Sequence, residues 1–341
     1  MKLSVVISAY NEEAMIEDCL KSAKDLADEI IFVDNTSQDR TVEIAKKYTK
    51  KVFTRENDPV MLNKNKNFGF TKATGDWILS LDADERLTTE LSAEIRNKIR
   101  ENHFSAYEIA RKNIIFGKWI QHSIWWPDYN LRLFRQGKGK FPENHVHEKL
   151  EVEGEVGKLE NPMIHHNYQT VSQFINKLNK TYTESETEHF IKSGKSINWF
   201  DAIRWPTNDF LKTFFMQKGY KDGLHGLVLS LFQAFYSLVF FAKVWERKEN
   251  FRDLYSEETE RQRNIDDKVD KDASSSIRHS EPSSHSHSER SEESISKMFL
   301  PEVLKEFYRA AKNIRHWIFE SLIAEKPALK LYYKLRRRLK G

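Results

Sequence analysis

Residues Trp77–Glu85 read Trp-Ile-Leu-Ser-Leu-Asp-Ala-Asp-Glu, an apolar run that ends abruptly at two aspartates, Asp82 and Asp84. The run Ile78–Leu81 predicts a buried strand, because it is too short and too rich in branched residues for an independent helix. Ligands of open α/β sheets bind at the carboxyl ends of strands. Two carboxylates at such an end suit Mg²⁺ or Mn²⁺ held together with the phosphates of a substrate. Taken alone, the pair is also explained by a solvated acidic turn that caps the following helix.

Strands and helices alternate throughout residues 1–102. The predicted strands are Leu3–Ser8, Glu29–Val33, Val52–Phe53 and Trp77–Leu81, and the predicted helices are Glu12–Lys24, Thr41–Tyr48, Leu62–Lys72 and Thr88–Arg100. This alternation implies right-handed crossovers and a mainly parallel sheet with helices on both faces. We therefore predict an α/β fold for this part of the chain.

The composition of the 341 residues sets few limits on function. A formal net charge of +4 favours no class of partner. The single cysteine, Cys19, excludes an internal disulfide and fits a reducing compartment, and its helical pattern predicts a core position. Met1-Lys2 leads straight into a strand, so we expect no signal peptide and a cytoplasmic protein.

Beyond residue 105 the pattern becomes irregular and rich in aromatic residues. We expect this segment to complete a first domain, residues 1–170, by adding a substrate surface. Three further regions are predicted to follow: a helical region over 171–255 with a hydrophobic helix near 223–245, a disordered low-complexity insertion over 256–297, and a basic amphipathic helical tail over 298–341.

The segment Gly226–Ala242 contains no charged residue. Its length is at the lower limit for crossing a bilayer of ~30 Å. Ser230, Gln233 and Ser237 recur at helical spacing, so one stripe of this helix is polar. We expect an interfacial helix at the inner face of the cytoplasmic membrane, with a single span or a buried helix as alternatives. The basic tail at Arg336–Arg338 suits an anionic membrane surface equally well, and we expect no nucleic acid partner.

Two further motifs follow the first and second predicted strands. The first motif supplies four candidates for contact with a nucleotide: Ala9, Tyr10, Asn11 and Glu12. Tyr10 can stack on a base, while Asn11 and the following helix N-terminus offer hydrogen-bond donors. In the second motif, Val33–Thr41, Asp34 is placed to accept from ribose hydroxyls or a base N–H. Helix capping at Asn11 and Asp39 is the alternative explanation of both motifs.

A third motif, Asn63–Gly69, precedes the strand at Trp77. Its helix carries Lys66 and Asn67, which can direct a cation and an amide towards phosphates. The chain has neither Gly-x-x-x-x-Gly-Lys-Ser/Thr nor Gly-x-Gly-x-x-Gly, which counts against kinases, P-loop ATPases and dinucleotide oxidoreductases. Ala9–Glu13 has no glycine, which counts against a sugar-phosphate nucleotidyltransferase.

Together these motifs resemble the family 2 glycosyltransferases of the GT-A type. The resemblance covers roughly residues 2–166 and rests on four ordered elements: Ser8–Glu13, Val33–Thr41, Lys66–Gly75 and Asp82–Glu85. Asp128–Arg135 and Val146–Glu148 are similar to segments of a bacterial branch that includes lipopolysaccharide-core β-glucosyltransferases, as is the hydrophobic helix after the catalytic domain. The resemblance implies a GT-A fold and inverting transfer from a nucleotide-diphosphate sugar to a hydroxyl of a glycan or lipid-linked acceptor in cell-envelope synthesis.

The resemblance also implies roles for individual residues. Asp82 and Asp84 would hold Mg²⁺ or Mn²⁺ on the diphosphate, with Asp84 as the direct ligand. Glu148 is the first candidate and Asp128 the second for the base that takes the acceptor proton. Asn35 stands where many members have a second aspartate, so a UDP-sugar is the default donor while guanosine and thymidine stay open. The alternatives are transfer to polyprenyl phosphate and a catalytically inactive nucleotide-binding protein on the same fold.

Overall fold

The structure is a computed structural model of the chain. It describes residues 1–58, 63–101, 103–143, 148–255, 261, 301–306, 308–309 and 312. Two compact units divide the chain, Met1–His189 with Gln217–Leu229 and Phe190–Met216 with Ser230–Gly341. The predicted insertion at 256–297 and most of the predicted tail at 298–341 lie outside the described residues.

The first unit contains the elements that carry the predicted motifs. Its strands are β1 (Leu3–Ala9), β2 (Glu29–Asp34), β3 (Lys51–Thr54), β4 (Trp77–Asp82), β5 (Glu85–Arg86), β6 (Ala106–Ile115), β7 (Lys118–Trp119), β8 (Asp128–Arg135), β9 (Gly139–Lys140), β10 (Glu151–Val152), β11 (Val156–Lys158) and β12 (Met163–Tyr168). Its helices are α1 (Ile16–Lys24), α2 (Thr41–Ala45), α3 (Asn63–Lys72), α4 (Thr89–Glu101), α5 (Val171–Lys177) and α6 (Thr183–Lys192), of which α6 ends in the second unit. A wider π-helical turn, Leu178–Tyr182, joins α5 to α6.

The main sheet runs in the order β3-β2-β1-β4-β8-β6-β12-β5, with β7 and β11 also paired to β6. Strands β1 to β4 form a parallel group. Strand β8 is antiparallel to both β4 and β6, whereas β6 and β12 run parallel to each other. This mixed sheet, parallel in its N-terminal group, confirms the predicted fold class.

Helices cover both faces of the parallel group, as the apolar strands require. One face of β1, carrying Leu3, Val5 and Ile7, shares a core with apolar residues of α1, α2 and α4. On the other face Val6 packs with Phe70 of α3. A Cβ added at Gly69 of α3 would lie 2.5 Å from Val6 Cγ1, so α3 needs glycine at its point of contact with the sheet. This close packing fixes α3 against the strands that lead to the predicted site.

The second unit is helical. It contains α7 (Asp201–Phe210) and most of α8 (Leu224–Glu249), whose first residues belong to the first unit. Ile197, Phe241 and Val244 are buried in its core. The predicted hydrophobic helix is thus present, and α8 is long and apolar enough, by length and composition, to cross a membrane.

Candidate active site

The predicted motifs meet at the carboxyl edge of the parallel strands. In the sheet register Ala9 of β1 lies opposite Asp34 of β2, and Ser8 lies opposite Asp82 of β4. The ends of three neighbouring strands therefore place the first, second and Asp-x-Asp motifs side by side.

Contacts with the second motif fix the loop that follows β1. Asn11 adopts a φ of 53°, its N–H donates to Ser37 Oγ (3.0 Å), and its Oδ1 accepts from the Gln38 N–H (2.8 Å). The Glu12 N–H donates to a threonine hydroxyl of the same neighbouring loop. The backbone donors predicted here are thus used within the protein, whereas the Tyr10 side chain is 41% exposed and accessible to a base.

Asp34 and Asn35 are both buried at the end of β2. The Asp34 carboxylate accepts from the Ser37 N–H at 3.2 Å. Asn35 Oδ1 accepts from Asn65 Nδ2 (2.8 Å), and its amide lies within 3.3 Å of Ser8 Oγ. The asparagine that replaces a second aspartate is therefore part of a neutral hydrogen-bonded cluster that ties β1, β2 and α3 together.

Asp82 is paired with cations through both carboxylate oxygens. Oδ1 lies 2.6 Å from Lys66 Nζ, and Oδ2 accepts from Arg132 Nη2 at 2.6 Å. Burial by itself would raise the pKa of Asp82, but the positive charges of Arg132 and Lys66 hold it well below its usual range. Asp82 is thus an ionised group whose partners come from α3 and β8.

Arg132 is also bound by a fully buried acid, Glu85. Arg132 Nη2 donates to Glu85 Oε1 at 2.5 Å, and the Asp82 N–H donates to Glu85 Oε2 at 2.9 Å. Arg111 Nη1 lies 3.8 Å from the same Oε1. Partners on both sides offset the desolvation of this buried carboxylate.

Asp84 lies among a different set of residues. Its Oδ2 is 3.4 Å from His165 Nε2, while His165 Nδ1 is 2.6 Å from Asn113 Oδ1. Since an amide oxygen only accepts, Nδ1 of His165 carries the hydrogen in that contact. Burial would raise the pKa of Asp84, but the nearby charges of His165 and Lys177 lower it to about 2.

Glu12 completes an acidic centre with the Asp-x-Asp pair. Burial and the negative charges of Asp84 and Asp82 raise the pKa of Glu12 to about 7, although Lys177 offsets part of this effect. Within the described ranges, no group of three or more acidic, histidine or cysteine side chains is arranged to hold a metal ion. Mg²⁺ is commonly bound by one or two carboxylates together with substrate phosphate oxygens, and Asp82 and Asp84 are carboxylates of the kind that such an ion needs.

Asp128 is held by side chains on β6 and β8. Its Oδ2 lies 2.8 Å from Arg111 Nε and 2.7 Å from Arg111 Nη2, and it accepts from Asn113 Nδ2 at 3.1 Å. Its Oδ1 accepts from Asn130 Nδ2 at 2.9 Å. This set of contacts fixes the carboxylate in one orientation, which suits a positioning role better than that of a mobile proton acceptor.

Lys66 and Asn67, which are neighbours on α3, reach different places. Lys66 Nζ reaches the Asp82 carboxylate, and its contact with a phosphate stays a prediction. Asn67 Nδ2 donates to the Phe141 carbonyl (2.9 Å) and to Glu143 Oε1 (2.6 Å), and its Oδ1 accepts from the Phe141 N–H (3.0 Å). Asn67 therefore stabilises the segment after β9, and its contact with a substrate stays a prediction.

Glu148, the first base candidate, belongs to that same segment. Its Oε2 accepts from the Glu143 N–H at 2.7 Å. The other two residues of the Val-His-Glu motif, 146 and 147, lie outside the described residues. Asn67 and Glu143 thus connect Glu148 to α3.

Sequence reasoning missed the partners of the predicted acids. These are Arg111, Asn113, His165 and Lys177, together with Arg132, which the sequence offers as a partner of Asp128 but which pairs with Asp82 and Glu85. A signal exists on β8, where Asp128, Asn130 and Arg132 recur with period two among apolar and aromatic residues. Arg111 and Asn113 of β6 and His165 and Asn167 of β12 share this spacing, but Lys112 and His166 interrupt the alternation. Such residues lie on one face of a strand, and a polar face within a core predicts a buried network.

Comparison with known proteins assigns this constellation to a family. The model described as glycosyl transferase family 2 matches residues 4–150. An uncharacterised glycosyltransferase of Rickettsia typhi is 30% identical over 264 residues, which are 72% of this chain and 87% of the relative. The chain belongs to glycosyl transferase family 2.

This family 2 glycosyltransferase also has a relative in envelope synthesis. The lipopolysaccharide core biosynthesis glycosyltransferase LpsC of Rhizobium meliloti is 27% identical over 258 residues, 72% of this chain and 93% of LpsC. Among solved structures, Staphylococcus aureus TarS 1–349 in complex with UDP-GlcNAc matches with a TM-score of 0.42 and 17% identity, covering 70% of this chain and 82% of that chain. The resemblance drawn from the four sequence motifs is confirmed by the family match.

Proposed function

We propose that this glycosyltransferase transfers a hexosyl group, with inversion, from a nucleotide-diphosphate sugar to a hydroxyl of a glycan or lipid-linked acceptor in bacterial envelope synthesis. The observation that carries the proposal is the meeting of Lys66, Asp82 and Asp84 at the strand edge where Tyr10 and Asp34 also lie. A stacking ring, a ribose acceptor, a cation and two carboxylates are the groups that a sugar nucleotide requires. The LpsC relative supports an acceptor of the lipopolysaccharide type.

Asp84 is the proposed direct ligand of Mg²⁺ or Mn²⁺. Both oxygens of Asp82 are already paired with Lys66 and Arg132, so Asp82 is proposed to orient Lys66 and to contribute to the metal site secondarily. When bound, the ion would offset the negative charge that develops on the departing nucleotide diphosphate. Lys66 supports the same diphosphate with a fixed positive charge.

Glu148 is the proposed base. An acceptor hydroxyl attacks the anomeric carbon from the side opposite the nucleotide, and its proton passes to the Glu148 carboxylate while the diphosphate leaves with the bonding electrons. No enzyme nucleophile is required, and the anomeric configuration inverts. Asp128, which Arg111 holds in place, is proposed to orient the acceptor hydroxyls.

A screen of nucleotide release tests this proposal. The purified chain is incubated with UDP-, GDP- and dTDP-sugars in Mn²⁺ or Mg²⁺, first with glycan acceptors and then with polyprenyl phosphate. Release with a glycan acceptor and an inverted product, read by NMR of the new anomeric centre, supports the proposal. A product on polyprenyl phosphate alone favours the alternative acceptor, and nucleotide binding without any release would indicate an inactive protein.

We also propose that α8 lies on the membrane surface. Leu231, Phe235 and Leu238 are 51%, 44% and 42% exposed and lie on one face at helical spacing. On another face Phe241 and Val244 belong to the protein core, which favours a surface helix over one surrounded by lipid.

Flotation with anionic vesicles tests the membrane contact. The double variant Leu231→Gln and Phe235→Gln should lose vesicle binding. The control Val171→Gln, at an equally exposed apolar residue on α5, should keep it. A wild-type protein that stays unbound at all vesicle concentrations would contradict the proposal.

A further inference from the structure

Five charged side chains of alternating sign form a continuous chain through the site. In order they are Asp82, Arg132, Glu85, Arg111 and Asp128, and successive contacts measure 2.6, 2.5, 3.8 and 2.7 Å. One end, Asp82, meets Lys66 at the proposed donor side. The other end, Asp128, lies at the proposed acceptor side.

Arg132 and Glu85 are the most buried members of this ion chain, whereas Arg111, like the two ends, is partly exposed at 21%. The side chains of Glu85 and Arg132 are 0% and 6% exposed, whereas those of Asp82 and Asp128 are 25% and 21% exposed. Charges interact more strongly where water is excluded, and a buried ion left without its partner is costly. The contacts of Arg132 with Asp82 and Glu85 therefore restrict how these three side chains can be arranged.

Rigid strands carry every member of the ion chain. Glu85 is on β5, Arg111 on β6, and both Asp128 and Arg132 on β8, while Asp82 ends β4. Glu85 is also tied to Asp82 through the backbone, because Glu85 Oε2 accepts the Asp82 N–H. A displacement of Glu85 is therefore expected to displace Asp82 as well.

We propose that Glu85 and Arg111 are positioning residues, and that this ion chain couples Asp128 at the acceptor end to Asp82 at the donor end. The inference rests on the proposed function, which assigns the two ends. Its distinctive consequence concerns Arg111, which touches Glu85 and Asp128 and reaches Asp82 through Glu85, either directly or by way of Arg132. Without Arg111, Glu85 is balanced by Arg132 alone and draws that guanidinium away from Asp82.

Calorimetric titration of the full chain with UDP in MnCl₂ tests this coupling. Arg111→Gln should weaken UDP binding by about 2- to 30-fold, the range seen for residues along a coupled network. Arg111→Lys keeps the charge and should restore most of the affinity. The matched control is Arg96→Gln. Arg96 is on α4, is 27% exposed and pairs with Asp28 at 2.9 Å. Its loss should leave UDP affinity unchanged.

A double variant distinguishes coupling from separate structural damage. If Glu85 transmits the effect, Glu85→Gln with Arg111→Gln should bind UDP no more weakly than Glu85→Gln alone. If Glu85→Gln fails to fold, as shown by its melting curve, the combination of Arg111→Gln with Asp128→Asn takes its place, and it should bind UDP no more weakly than Arg111→Gln alone.

Two results would overturn the inference by itself: Arg111→Gln that binds UDP as the wild type does, or losses that multiply in the double variant. Wild-type protein that does not bind UDP in MnCl₂ would instead overturn the proposed uridine donor, and the inference with it.

Discussion

Around the Asp-x-Asp pair, residues 1–101 contribute most of the acids and residues 103–177 most of the cations, the exceptions being Lys66 in the first region and Asp128 and Glu148 in the second. The first region supplies the carboxylates Glu12, Asp82, Asp84 and Glu85, and the second supplies the cationic partners Arg111, Arg132, His165 and Lys177. The acids lie on a regular parallel framework. Their partners come from the antiparallel strand β8, from β6 and β12, and from the helix that follows.

This difference separates two kinds of residue. An acid at the strand edge is proposed to touch the substrate or its metal ion, so its loss should reduce activity while the fold persists. A buried cation compensates acids from the other region, so its loss should reduce stability first. The four predictions below test this division, from the largest expected effect to the smallest.

Asp84→Asn should lower turnover by at least about 100-fold, the scale of losing one electrostatic contact to a developing charge. It should also abolish the metal dependence of UDP binding, measured by titration with and without Mn²⁺. The control is Asp76→Asn at the opposite end of the same strand, where the carboxylate accepts the Lys2 N–H at 2.7 Å. Retained metal-dependent binding in Asp84→Asn would show that another group holds the ion.

Glu148→Gln should lower turnover by about 100-fold or more, because a general base contributes on that scale. UDP binding in Mn²⁺ should be unchanged, since the proposed role of Glu148 is to take the acceptor proton and not to hold the nucleotide. Glu153→Gln removes a 78% exposed carboxylate nearby and should act as the wild type does. Near-normal turnover in Glu148→Gln would show the base assignment to be wrong and would make Asp128→Asn the next test.

Arg132→Leu should lower the free energy of unfolding by about 3–5 kcal/mol, because it leaves Glu85 buried beside only a distant cation. Urea unfolding measures this change. Arg96→Leu breaks a more exposed pair with Asp28 and should cost about 1 kcal/mol or less. Equal costs for the two variants would contradict the proposed division between acids and partners.

The pH dependence of stability should reveal Glu12. Its pKa of about 7 in the fold exceeds the ordinary value of 4.5, so the folded, metal-free protein is stabilised at low pH and loses about 3 kcal/mol of that stability between about pH 4.5 and pH 7. Urea unfolding in EDTA between pH 5 and pH 8 should show this slope, and Glu12→Gln should remove it. Glu43→Gln, which breaks an exposed pair with Lys47, should keep it.

The strands and helices of the first region could be predicted from sequence because apolar residues recur in each at the spacing typical of that element. The helix α1 is the main discrepancy: it begins at Ile16, whereas the pattern predicted a start at Glu12. The reason is tertiary, since Asn11 takes a left-handed backbone and residues 11–13 donate to side chains of the next loop. The spacing of hydrophobic residues does not indicate such contacts.

The second region resisted prediction for a different reason. Strands β6 and β8 are longer than their apolar runs, because antiparallel pairing with each other carries polar residues such as Arg111 and Asp128 into the sheet. Arg132 and Asp82 are separated by 50 residues, and only the register of β8 against β4 and β6 brings them together. The acids of the site were therefore accessible from local sequence, while their partners depended on long-range register.

Cys19 gives this site a reporter of its own. The thiol is buried on α1 and donates to the backbone carbonyl of Asp82 at 3.4 Å, and burial raises its pKa well above the ordinary value. Since it is the single cysteine of the chain, a thiol reagent can label the protein only when α1 separates from the end of β4. The labelling rate consequently measures how often α1 separates from the end of β4. A bound donor should slow that rate.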